Sequence, residues 1–79
     1  MIAEKLVKTD EVKIEGQAYL VRYYEVQTPR GTLRYSSDVA LGPADRIILD
    51  GNSLCEVESK VARLVPATIY SRMLAARAA

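Results

Sequence analysis

The chain has no histidine, no tryptophan, no phenylalanine and one cysteine in 79 residues. Without histidine there is no Ser-His-Asp triad and no Cys-His pair. Histidine-ligated zinc and haem sites fall with it, as does a histidine pH switch. A single cysteine excludes an intramolecular disulfide and a cysteine-rich metal cluster. It suits a reducing compartment, and a cytoplasmic location is the expectation. Glycine is sparse too. Its four copies are isolated, so neither G-x-G-x-x-G nor G-x-x-x-x-G-K-S/T can be drawn. Long apolar runs are missing: Ile47-Ile48-Leu49 is far short of a membrane span. Glu4, Lys5 and Lys8 interrupt the first residues, and no signal-peptide core is expected. No sign of charge dominates. Eleven Lys+Arg stand against ten Asp+Glu, a net +1, which is not the footprint of a strong duplex binder.

What is there reads as globular: 49% hydrophobic and 27% charged residues. The length is that of one domain, with a strand region at 1–50 and a helical region at 53–78. A chain this short buries only roughly 60–65% of its unfolded surface, so apolar burial and chain entropy nearly cancel. A second copy or another protein is therefore an expected partner.

The breaks are Gly16, Thr28-Pro29-Arg30-Gly31, Gly42-Pro43, Gly51-Asn52 and Pro66. Gln17 to Gln27 is rich in Tyr and Val and reads as a strand. Thr32 to Leu41 alternates cleanly, with Leu33, Tyr35, Ser37, Val39 and Leu41 on one face. A hairpin that sets Val26 opposite Leu33, Tyr24 opposite Tyr35 and Glu25 opposite Arg34 matches apolar with apolar and charge with charge. Turn chemistry opposes this pairing. Pro29-Arg30-Gly31 suits a type I turn closed by a left-handed Gly, a three-residue loop that puts Glu25 opposite Tyr35. The side-chain match is preferred, with a four-residue loop.

Residues 4 to 14 align as a further strand, the competing reading being a short helix through Ile2 and Leu6. A three-residue loop at Glu15-Gly16-Gln17 sets Ile14 opposite Ala18, Val12 opposite Leu20 and Asp10 opposite Arg22. That pairing gives the odd cation Arg22 a partner. Arg46 to Asp50 makes a short fourth strand.

Ser53-Leu54-Cys55-Glu56 is a capping box ahead of a helix from Leu54 to about Val65. Leu54, Val57, Val61, Leu64 and Val65 form its apolar stripe, and Glu58, Lys60 and Arg63 face water. Pro66 either kinks this helix or opens a second one. The stretch from Ala67 to Ala79 is a good helix former whose larger apolar residues are Ile69, Tyr70, Met73 and Leu74. The expected fold is α+β: an antiparallel meander of three to four strands, then one kinked or two consecutive helices packed on one sheet face.

The candidate chemistry is thin. Cys55 in the first helical turn has no histidine base and no second thiol, so it reads as a buried or inert structural residue. Asp50-Gly51-Asn52 fails as a calcium loop. With Gly51 at the sixth position, the first and twelfth would be Arg46 and Val57, neither a carboxylate. It reads as a turn in which Gly and Asn supply unusual backbone angles. No metal, cofactor, catalytic residue or membrane contact is assigned. Arg72 and Arg77 are too few cations for stable membrane binding, at about 1 kcal/mol each.

The informative feature is the odd face of the second strand: Tyr19, Val21 and Tyr23. If the helices cover the even face, these point away from the core. The leading reading is a non-enzymatic interaction module that uses Tyr19, Val21 and Tyr23, the Ile69, Tyr70, Met73 and Leu74 segment, or both. The alternative is a weak single-stranded nucleic-acid binder using Tyr19, Tyr23, Arg22, Arg30 and Arg34. Against it, Asp10 and Glu25 would already engage Arg22 and Arg34. An enzyme is the third reading, with no arrangement that points to a reaction.

Overall fold

Two turns set the architecture. In the computed structural model, which describes residues 3–78, Glu15 and Gly16 take φ of 52° and 79°. Two successive positive φ values are what a type I′ two-residue turn requires. It joins β1 (Ala3–Ile14) to β2 (Gln17–Gln27). The loop is thus one residue shorter than expected. Val12 stands opposite Tyr19, Asp10 opposite Val21 and Thr9 opposite Arg22. The expected Asp10–Arg22 pair does not form, because the two side chains lie on opposite faces. A bulge at Val7 then shifts the pairing, so that Leu6 meets Tyr24.

The second turn joins β2 to β3 (Leu33–Gly42). The Gly31 amide donates to the Thr28 carbonyl at 2.9 Å, and the Thr28 amide to the Thr32 carbonyl at 2.9 Å. Gly31 has φ 85°. This is the three-residue loop that Pro29 favours, and it overturns the preferred pairing. Glu25 stands opposite Tyr35, and Val26 opposite Arg34. The odd residues of β2 now share a face with the odd residues of β3. Tyr19, Val21 and Tyr23 join Tyr35, Ser37, Val39 and Leu41 on the inner face.

β4 (Asp45–Gly51) completes an antiparallel sheet in the order β1-β2-β3-β4. Ile47 and Leu49 point inward and Ile48 outward, as alternation demands. One helix, α1 (Leu54–Ala78), then packs over β3 and β4, with Pro66 in its interior. Val57, Val61, Val65 and Ile69 recur every four residues along the helix, with Met73 continuing the row. Together with Ile14, Tyr19, Val21, Tyr23 and Val39, these four close the core. Leu64, placed in the apolar stripe from the sequence, lies on the exposed side.

Ser53 caps the helix as its sequence signals. Its hydroxyl accepts from the Glu56 amide at 3.1 Å. Glu56 reaches back one residue further than a capping box requires, accepting from the Asn52 amide at 3.2 Å. Gly51 and Asn52 do not have positive φ, so their role is not unusual backbone angles. Gly51 is there for space: a Cβ on it would lie 2.9 Å from Val57 Cγ2. No helix among the described residues is long and apolar enough to cross a membrane.

Candidate interaction surface

The register moves the free surface from one face of the sheet to the other. Tyr19, Val21 and Tyr23 are in the core beneath α1 and do not point away from it. This corrects the interface expected there and removes the stacking platform of the nucleic-acid reading. Arg22 and Arg34 lie on the opposite face, and exposed Arg30 sits at the β2–β3 turn. The structure does not bring these five residues together. Arg34 donates to Asn52 Oδ1 at 3.0 Å rather than pairing with Glu25, which accepts from the Tyr35 hydroxyl at 3.4 Å.

The helical candidates divide. Ile69 is buried and Met73 packs against the core. Tyr70 is exposed, and its hydroxyl donates to Glu15 at 3.2 Å across to the β1–β2 turn. That carboxylate is the main reason the Tyr70 hydroxyl titrates above its ordinary value. Leu74 is 65% exposed. Glu58 and Lys60 do not simply face water. Lys8 donates to Glu58 at 2.5 Å, and Lys60 donates to the Asp50 carbonyl at 2.6 Å. Cys55 is free and exposed, not buried. Among the described residues no group of three or more His, Cys, Asp or Glu side chains is placed to hold a metal.

Among the described residues, the surface left without cover is the outer, even-numbered face of β2 with its neighbours. Leu6, Leu20 and Ile48 are 50%, 46% and 61% exposed on it. Tyr24 stands opposite Leu6, and Val26 is half-buried beside them. The polar positions of this face carry both signs in equal number: Lys13, Arg22, Arg34 and Arg46 with Glu4, Glu11, Asp38 and Asp50. Arg46 pairs with Asp38 at 3.4 Å, and Lys13 lies 3.9 Å from Glu11. Among the described residues Arg22, Arg34, Glu4 and Asp50 make no ion pair. A shallow depression of about 150 Å³ opens between Leu20, Arg22, Asp38, Ala40 and Arg46.

The sheet edges are less inviting than this face. β1 carries Lys5, Lys8 and Lys13 and the bulge at Val7, and β4 is only seven residues long. Lysines, bulges and short edge strands discourage edge-to-edge pairing. The sequence signal that could have found the outer face was present in Pro29-Arg30-Gly31, whose turn type fixes which side of β2 faces α1. No family model, curated protein or solved structure matches the chain.

Proposed function

We propose that the chain is a small non-enzymatic interaction module that pairs with a second copy of itself through the outer sheet face. The observation that carries this reading is a sheet that, among the described residues, is covered by a helix on one side only, with half-exposed Leu6, Leu20 and Ile48 on the other. The charges argue for a self-partner. A strongly acidic or basic partner would need a surface of one sign, whereas this one carries unpaired acids and bases in equal number. In a two-fold pairing each copy offers the other the same unpaired bases, Arg22 and Arg34, and unpaired acids, Glu4 and Asp50. The reading includes a cytoplasmic location, in keeping with the exposed free thiol of Cys55.

Sedimentation equilibrium tests it. The expected result is a reversible dimer with a dissociation constant of about 10 μM. Ile48→Lys and Leu20→Lys, both at exposed positions, are expected to give a folded monomer. A wild-type chain that stays monomeric at about 1 mM overturns the proposal.

A further inference from the structure

A second feature lies on the other side of the sheet, where the last turns of α1 leave its corner. A groove of about 290 Å³ runs there between Tyr19 and Leu41 of the sheet and Ile69, Met73 and Ala76 of the helix. Its floor is buried: Ile69 and Tyr19 are 4% and 7% exposed. Ala76 keeps it open, since a larger side chain one turn beyond Met73 would fill it. Its mouth is polar. Arg72 on α1 and Asp45 on β4 line it and form an ion pair with each other.

We infer that this groove binds a zwitterion with an apolar side chain, that is, a free amino acid of the leucine or phenylalanine class. The volume lies just under the range of small-molecule sites, roughly 300–1,000 Å³, and admits a molecule of about that size. An apolar floor alone would accept any hydrophobic body. The mouth adds the selection. An isolated Arg would choose an anion and an isolated Asp a cation. The pair presents both signs side by side, the complement of an ammonium and a carboxylate on one carbon. Opening the pair costs little, because its side chains are 46% and 44% exposed and exposed pairs are weak. In the bound state Arg72 takes the carboxylate and Asp45 the ammonium, while the side chain lies between Leu41, Ile69 and Met73. The inference does not depend on the dimer, whose face lies on the opposite side of the sheet.

The test is a backbone-amide NMR titration of the full chain with L-leucine and L-phenylalanine, against two controls. Glycine has the charges without the side chain, and N-acetyl-leucine amide has the side chain without the charges. Leucine or phenylalanine is expected to shift the signals of Tyr19, Leu41, Ile69 and Met73 saturably, with a dissociation constant of about 1 mM or tighter. Both controls are expected to bind at least about tenfold more weakly. Ala76→Leu, at an exposed position that preserves the helix, is expected to abolish the shifts. Asp45→Asn combined with Arg72→Gln is expected to remove the preference over the blocked compound. Equal binding of the blocked compound by the native chain overturns the inference, as does an absence of saturable shifts. Retention of leucine binding by the monomeric Ile48→Lys variant separates this site from the dimer.

Discussion

Lys8 on β1 donates to Glu58 on α1 at 2.5 Å, and its ammonium sits 5.0 Å from the centre of the Tyr23 ring. This one cluster ties the sheet edge farthest from β4 to the helix. The hydrogen bond to Glu58 is the main reason the Lys8 ammonium titrates above its ordinary 10.5. Burial is the main reason Tyr23 titrates above 10.0. Both groups hold their protons more tightly in the folded chain than in the unfolded one. Their stabilisation is therefore complete below the unfolded values and is lost as pH rises through the raised ones. Stability measured by guanidinium denaturation is expected to fall from about pH 10 upward. Glu58→Gln removes the charged acceptor and is expected to flatten that fall while leaving Tyr23 to titrate. An unchanged alkaline slope in the variant would assign the loss to other groups.

Gly51 closes β4 directly under the first turn of α1. An added Cβ would meet Val57 Cγ2 at 2.9 Å and the Glu56 side chain at 3.2 Å. Val57 is fully buried and has nowhere to go. Glu56 is held by its bond to the Asn52 amide and lies 3.6 Å from Lys60. Gly51→Ala is expected to lower unfolding stability by about 2 kcal/mol, the cost of overpacking a filled site. Equilibrium denaturation measures it. A neutral result would mean that the helix start can lift away from β4.

Ser37 is fully buried, and its hydroxyl has no hydrogen-bond partner among the described residues. It stands opposite Tyr23 on one side and Leu49 on the other. An unmet buried hydroxyl costs about 1–3 kcal/mol, more than its packing contributes. Ser37→Ala is expected to raise stability by about 1 kcal/mol in the same assay, whereas most core truncations lower it. A loss would show that the hydroxyl has a partner in solution, a water above all.

Much of this architecture could be read from residue order. Alternation in β3, the Ser53 cap and the breaks at Gly16 and Gly42 placed every strand and the helix start within a residue or two. What side-chain pattern alone leaves open is which face of β2 turns inward, because β2 is apolar on both. Val21 and Leu20 are equally hydrophobic, and pair matching then favoured Glu25 with Arg34, an ion pair worth a few tenths of a kcal/mol. The backbone preference of Pro29 and Gly31 is local, and it decided the outcome. One step of register inverted β2, moved Tyr19 and Tyr23 from a proposed contact surface into the core, and exposed Leu20 instead. The helix length was undecided for another reason. Pro66 breaks an isolated helix, yet packing of Val65 and Ile69 on the sheet carries α1 through it.

The same competition between local preference and side-chain contact can be measured at the first turn. Glu15 is the only non-glycine residue with positive φ among the described residues. A left-handed conformation costs an ordinary residue about 1–2 kcal/mol, and asparagine bears it more easily. Against this, Glu15 accepts the Tyr70 hydroxyl at 3.2 Å, a contact between two exposed side chains. Water competes for such a bond, so its net contribution is small. The backbone term is the larger. Glu15→Asn, which makes the turn Asn-Gly, is expected to raise stability by about 0.5 kcal/mol and to lower the Tyr70 titration toward its ordinary value. Tyr70→Phe removes the same hydrogen bond without relieving the turn, and is expected to leave stability unchanged or slightly lower. If Glu15→Asn destabilises the chain as much as Tyr70→Phe does, the bridge between α1 and the β1–β2 turn outweighs the backbone, and the ordering of the two effects is reversed.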